Sequence, residues 1–224
     1  MSVPRIPNKK EKRERMASIV RALEQIYPES VCALEYGGEP WRLLVMARLS
    51  AQCTDARVNI VCRDLFSEFP TVEALADAPL SRIEEIVRPC GLFHTKAESI
   101  KASCQILVKQ YGGRVPDTME ELLALPGVGR KIANLLLGDI YKQPAVVTDT
   151  HCIRICGRLG MYPTDLKDPK RVEMILVQLI EPEAQSDFCH RIVQFGRDVC
   201  MARSPRCEEC PIRSLCTHGK HDFP

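Results

Sequence analysis

The sequence contains no apolar run approaching the roughly 20 residues that a membrane-crossing helix requires, and its basic start runs into an amphipathic pattern, not a secretory leader. Strand-type alternation is hardly seen, and there is neither an internal repeat nor a low-complexity tract. These absences exclude a helical membrane protein, a β-rich fold and a solenoid, and they lead us to expect a cytoplasmic protein. Net charge is also scarce: 31 Lys and Arg against 29 Asp and Glu leave +2, with a pI near 8.0, too mild to name a nucleic-acid partner from composition. A hydrophobic content of 45% with 27% charge describes an ordinary globular chain, with disorder confined to the ends. At 224 residues it is long enough for one large domain or two compact lobes, and two lobes are expected.

The charge is unevenly placed. Residues 1–15 carry six Lys or Arg against two Glu, and residues 125–160 carry five against two Asp, whereas 64–88 carry two Arg against six acids. One positive face is therefore expected, although a solvated helix face explains any single cluster. Twelve cysteines in a chain without a secretory leader read mostly as buried, reduced thiols. The last four, Cys200, Cys207, Cys210 and Cys216, stand apart in the pattern C-x6-C-x2-C-x5-C. Four thiolates gathered by a short loop need a metal centre, and spacing alone leaves structural zinc and an iron-sulfur cluster both open.

Periodicity predicts an all-α chain. After a basic tail over residues 1–10, broken by Pro4 and Pro7, a helix is expected from Glu11, with Met16, Ile19, Val20, Leu23, Ile26 and Tyr27 forming one apolar stripe before Pro28. Further helices are predicted over 41–52, 57–67, 71–77, 80–88 and 96–111, divided by Pro, Gly or short polar breaks. Asp117 or Thr118 caps the next one, each with a Glu three residues on. That helix runs to Leu125, and others follow near 130–141, 149–159, 169–181 and 186–200.

Between two of these helices lies Leu125-Pro126-Gly127-Val128-Gly129-Arg130-Lys131. Gly127 and Gly129 permit positive φ and close backbone approach, and the unpaired N–H groups opening the second helix can grip a phosphate. Such a hairpin holds DNA by its backbone without reading bases. In this order the residues resemble the helix-hairpin-helix DNA glycosylases, and most closely the endonuclease III family.

The resemblance implies a nucleophilic Lys131, which attacks the sugar C1′, assisted by Asp149. The chemistry supplies its own reasons for both. An amine that displaces the base becomes an iminium, whose electron demand acidifies the C2′ proton and permits β-elimination of the 3′ phosphate. The attacking amine must be partly neutral, which asks for desolvation in a closed pocket. A carboxylate beside it would favour the ammonium, so Asp149 serves instead to stabilise positive charge on the departing sugar and to shuttle protons. Asp149 also stands where an N-cap is expected, ahead of Thr150-His151-Cys152.

An enzyme working on a base in a duplex must extrude it and fill the gap. Leu49-Ser50-Ala51-Gln52-Cys53-Thr54-Asp55 and Gly91-Leu92-Phe93-His94-Thr95-Lys96-Ala97 resemble the family's two gap-filling segments, which assigns those parts to Gln52 and Leu92. Without the resemblance, Gln52 would end a surface helix and Leu92 would be core. His151 is a pocket or DNA-contact candidate, with simple packing as the competing reading. The match also decides the cysteine loop in favour of a 4Fe-4S cluster whose irons are all cysteine-ligated, structural or electronic in role, with Arg203 and Arg206 facing phosphate. DNA-binding residues are thus expected at Gln52, Leu92, Gly127, Val128, Gly129, Arg130, Arg203 and Arg206.

The resemblance covers about residues 12–217. It implies a six-helix lobe over 33–143, a cluster lobe formed by 1–32 with 144–224, and Lys131 and Asp149 facing across a DNA-binding cleft. The implied protein is a monomeric bifunctional glycosylase and abasic-site lyase, associated with the nucleoid through double-stranded DNA that carries damaged bases or abasic sites, with oxidised pyrimidines such as thymine glycol first. Ile132 follows the lysine where the family often has threonine, Thr148 precedes Asp149, and Phe195 precedes Gly196-Arg197 where histidine occurs; these departures bear on lesion range and leave the mechanism intact. The alternatives are an adenine, pyrimidine-dimer or monofunctional glycosylase on the same scaffold, a non-catalytic DNA-structure binding module, and a zinc-stabilised interaction protein.

Overall fold

A computed structural model describes residues 8–29 and 31–221, and every regular element among them is helical. The elements are α1 (Lys9–Ile26), α2 (Pro40–Leu49), α3 (Asp55–Glu68), α4 (Val72–Asp77), α5 (Leu80–Val87), α6 (Phe93–Tyr111), α7 (Met119–Ala124), α8 (Arg130–Asp139), α9 (Thr150–Arg158), α10 (Pro169–Leu176), α11 (Gln185–Asp198) and α12 (Thr217–His221). No described helix is long and apolar enough to cross a membrane. The start of the expected basic tail, with Pro4 and Pro7, lies outside the described residues.

The chain divides into two compact units, one of Cys32–Tyr141 and one of Met1–Val31 with Lys142–Pro224. The first holds seven α-helices, α2 to α8, where the resemblance implies six; α4 and α7, of six residues each, are the short ones. Its axis is α6, whose Ala97, Ile100, Cys104 and Leu107 are fully buried against α2, α4 and α5. Thr118, not Asp117, caps α7: its Oγ1 accepts from the Glu121 N–H at 3.3 Å and donates to the Glu121 carboxylate at 2.6 Å.

In the other unit, α1 lays Met16, Ile19 and Leu23 on a core that includes Ile155, Val172, Leu176, Phe188 and Ile192. Each such side chain removed from water contributes about 1.5–3 kcal/mol before the entropy of ordering is set against it. α1 starts at Lys9, earlier than the expected Glu11. Asn8 Oδ1 takes the Glu11 N–H at 2.9 Å while Glu11 returns a carboxylate oxygen to the Asn8 N–H at 3.0 Å, a reciprocal cap that draws the last part of the expected tail into the helix. α10 stops at Leu176 instead of running to 181, and the side-chain amide of Gln185 donates to the carbonyl of Ile180 in the turn beyond. All the cysteines are reduced; six are buried, and none forms a disulfide.

Candidate active site and cluster loop

The hairpin of the first unit is a tight turn. Val128 N–H closes it onto the Leu125 carbonyl at 3.1 Å, and the side chains of Leu125 and Val128 are buried beneath it. Val128 therefore anchors the turn, with its side chain inward and its N–H spent. Gly127 has φ +76°, and a Cβ there would come within 2.5 Å of Arg48 Nε and 2.9 Å of Ser99 Cβ. The seat is built by α2 and α6. Arg48 Nε donates to Ser99 Oγ at 2.8 Å, and Ser103 Oγ donates to the Pro126 carbonyl at 2.8 Å. Gly129 differs from the expectation: its φ is −103° and a Cβ would meet nothing within 4 Å. Turn geometry does not require glycine there, so the reason for a missing side chain lies on the outer side of the backbone.

Gly129 is the N-cap of α8, and no side chain caps that helix. Its opening N–H groups keep the partial positive charge of an uncapped helix start and suit a phosphate. Arg130 and Lys131 are the first two helical residues, and Lys131 is exposed. The closed, dry surroundings expected for a nucleophilic lysine are not built into this unit.

Asp149 is the N-cap of α9 and accepts the Cys152 N–H on Oδ1 at 2.8 Å. Capping uses one oxygen and fixes the carboxylate.

Gln52 and Leu92 share a feature that no spacing rule revealed. Both are exposed, and both have left-handed backbones, with φ of 56° and 49°. Only two other described non-glycine residues have positive φ, Lys142 and Ser204. A left-handed leucine or glutamine costs about 1–2 kcal/mol, and strain of this kind concentrates where it serves a ligand. α2 ends at Leu49, so Gln52 stands on a turn beyond it and not on a helix end; Leu92 is the N-cap of α6 and is not core.

Cys200, Cys207, Cys210 and Cys216 line one small cavity, together with Arg158, Phe195 and Ile212. No three His, Cys, Asp or Glu side chains among the described residues converge on a single-ion position. Four cysteine sulfurs around one shared space are the donor set of a cubane cluster, which takes one thiolate on each iron. Burial pushes the Cys210 thiol up, the N–H of Ile212 acts against this, and the other three sulfurs raise it further, the situation that a bound cation would reverse.

The cluster loop is held by α9. Arg154 donates to the Cys200 carbonyl at 2.9 Å, and one turn on, Arg158 donates to the carbonyls of Met201 at 2.6 Å and Ala202 at 3.0 Å, with the Cys200 sulfur at 3.5 Å. Two of the five bases counted over 125–160 are thus spent inside the protein and not on a DNA face. Arg203 and Arg206 are exposed on the loop. Phe195 is buried on the cluster cavity, so that departure from the family pattern concerns the cluster's walls.

His151 is half-buried with Nδ1 3.3 Å from Arg154, and a Cβ on Gly196 of α11 would collide with that nitrogen and with Ile155. The packing role is the one seen within this unit. Gly196→Ala is expected to displace His151 and, through Arg154, the carbonyl of Cys200, costing about 1–3 kcal/mol. Thermal melts and cluster absorbance measured together would check this; an unchanged melt and colour would show that α11 has room to shift.

Ser99, Ser103 and Lys96 were not singled out as site residues from sequence. The signal was their spacing of three and four along α6, which puts three polar groups on one side of a buried helix.

Residues 45–182 match the family model of the HhH-GPD superfamily base excision DNA repair proteins, and residues 200–216, from the first cluster cysteine to the last, match the iron-sulfur binding domain of endonuclease III. Endonuclease III of Synechocystis sp. is 43% identical over 92% of this chain and 93% of its own length. A solved non-covalent endonuclease III–DNA complex is 37% identical, covers 94% of this chain and 97% of its own, and superposes with a TM-score of 0.87. A trapped endonuclease III–DNA covalent intermediate is likewise 37% identical, with 95% and 99% coverage and a TM-score of 0.88. With a cysteine loop that fits a cluster and a hairpin that fits a phosphate, the chain belongs to the HhH-GPD superfamily of base excision DNA repair proteins and, within it, to the iron-sulfur endonuclease III family of DNA glycosylases with abasic-site lyase activity.

Proposed function

We propose that this chain excises oxidised pyrimidines from double-stranded DNA and cleaves 3′ to the resulting abasic site, with Lys131 as nucleophile and Asp149 as the assisting carboxylate. The observation that carries this reading is an exposed lysine at the second residue of an uncapped helix, immediately after a hairpin shaped for phosphate. Lys131 Nζ attacks C1′, the glycosidic C–N bond breaks, and the base leaves with the bonding pair and a proton. The nitrogen then expels the ring oxygen, the C1′–O4′ bond breaking as O4′ takes a proton, and the protonated Schiff base acidifies the C2′ proton; a base such as Asp149 removes that proton, the C3′–O bond breaks with its pair on the departing phosphate, and water hydrolyses the imine and returns the amine. Asp149, fixed by its cap, stabilises positive charge developing on the sugar and passes protons between base, amine and water.

The hairpin amides at Gly129 and Arg130 receive a phosphate, and Arg203 and Arg206 take others, which makes affinity fall with salt. Gln52 and Leu92 fill the gap left by the extruded nucleotide. Cys200, Cys207, Cys210 and Cys216 hold the 4Fe-4S cluster, which supplies a compact charge that ties the loop together; no step of the sugar chemistry needs it. The protein acts as a monomer on chromosomal DNA in the cytoplasm.

Single-turnover excision from duplexes carrying thymine glycol, an adenine mispair, a pyrimidine dimer or an abasic site tests the lesion class. Thymine glycol is expected to be processed fastest among the damaged bases, and Asp149→Asn, which can still cap α9, is expected to slow it by about 10²–10⁴-fold. Preference for the adenine mispair or the dimer would overturn the pyrimidine assignment, and an Asp149→Asn variant as fast as the native protein would reduce Asp149 to a cap.

A further inference from the structure

Lys96 is a charged residue with no exposed surface at all. Its ammonium donates to three backbone carbonyls: Leu49 at 2.8 Å, Ala51 at 2.7 Å and Cys90 at 2.8 Å. No carboxylate pairs with it among the described residues, and burial pushes it down from the ordinary lysine range. The acceptors come from two separate stretches of chain. Leu49 ends α2 and Ala51 lies in the turn beyond it that presents Gln52, while Cys90 lies in the turn that presents Leu92. The main chain of the same residue completes the arrangement, since Lys96 N–H donates to the Leu92 carbonyl at 3.1 Å.

A –NH₃⁺ group has three donors and no acceptor, and here all three are used. Neither an amide nor a hydroxyl can bridge three carbonyls, and the planar fork of arginine does not match three acceptors around one point. Without the ammonium these three carbonyls lose a buried donor, which costs stability as well as position. What the ammonium does provide is a fixed relation between two strained turns. It also reaches the hairpin: the Lys96 carbonyl accepts from Ser99 Oγ at 3.0 Å, and Ser99 Oγ takes the Arg48 N–H against which Gly127 is seated.

We propose that Lys96 is a positioning residue for base extrusion, a buried cation that joins the Gln52 and Leu92 turns so that both side chains enter the DNA stack in register. The proposal rests on the gap-filling roles assigned to Gln52 and Leu92. It separates Lys96 from the sugar chemistry: penetrating a duplex needs the joined turns, whereas Schiff-base formation on an unstacked abasic site does not.

The test uses the full cluster-loaded chain and compares native protein with Lys96→Met, Lys96→Gln, Gln52→Ala and Leu92→Ala. Lys96→Met keeps the stem and removes the donors; Lys96→Gln retains a donor should the methionine variant fail to fold. Two rates are measured: single-turnover excision of thymine glycol from a duplex, and borohydride trapping on a single-stranded abasic oligonucleotide. A 2-aminopurine beside the lesion reports unstacking. The Lys96 variants are expected to excise from duplex on the order of 10–100-fold more slowly, with a matching loss of the 2-aminopurine signal, while single-strand trapping stays within about twofold. Equal losses on both substrates would make Lys96 a purely structural residue and overturn the proposal. Folded Lys96 variants that extrude normally while Gln52→Ala or Leu92→Ala fail to would overturn it and leave the gap-filling roles standing. Normal extrusion by both alanine variants would remove those roles, and this proposal with them.

Discussion

Lys131→Ala is expected to abolish the borohydride-trapped adduct on duplex DNA carrying an abasic site, and to slow strand cleavage on the order of 10⁴-fold or more. The loss should be catalytic and not structural. Lys131 is exposed in the first turn of α8, and alanine is a better helix former there, so stability should change by no more than about 0.5 kcal/mol. DNA binding should survive with a slightly shallower salt dependence, because one cation is gone while the hairpin amides remain. An adduct that persists in the variant would place the nucleophile at another amine. No adduct from folded, cluster-loaded native protein would sink the lyase step for this chain.

The two hairpin glycines are expected to fail in different ways. Gly127→Ala combines a positive φ with contact against Arg48 and Ser99, so it should destabilise the first unit by about 2–4 kcal/mol and lose DNA binding along with the turn. Gly129→Ala has ordinary φ and open space, so its melting temperature should barely move. Its affinity for duplex DNA should nevertheless fall about tenfold, since the new methyl group stands where a phosphate must come close to the backbone. Thermal melts and fluorescence anisotropy on the same samples separate the two. A Gly129→Ala protein that binds as tightly as the native one would remove the α8 amides from the DNA contact.

The parts of this fold legible in sequence were those written in local chemistry. The apolar stripe of α1, the Thr118–Glu121 cap and the Pro126–Gly129 turn all depend on residues within a few positions of each other, and a single chain displays such relations directly. Long-range partners were a different matter. Nothing near Lys96 says that its ammonium ends among the carbonyls of Leu49, Ala51 and Cys90, because a lysine in an amphipathic helix reads as solvated until the turns around it are known. Arg154 and Arg158 were likewise counted toward a positive surface; their acceptors lie more than 40 residues on, in a loop whose path only the fold determines. The left-handed backbones of Gln52 and Leu92 escaped notice because neither residue type favours that conformation, and tertiary packing imposes it.

α9 has Asp149 as its N-cap, while Arg154 and Arg158 farther along it grip the cysteine loop. Nine helical residues span about 13 Å, so the Asp149 carboxylate and the cysteine loop are held at two ends of one short rod. Whatever holds the cysteine loop thereby also sets how firmly the Asp149 end of that helix is held.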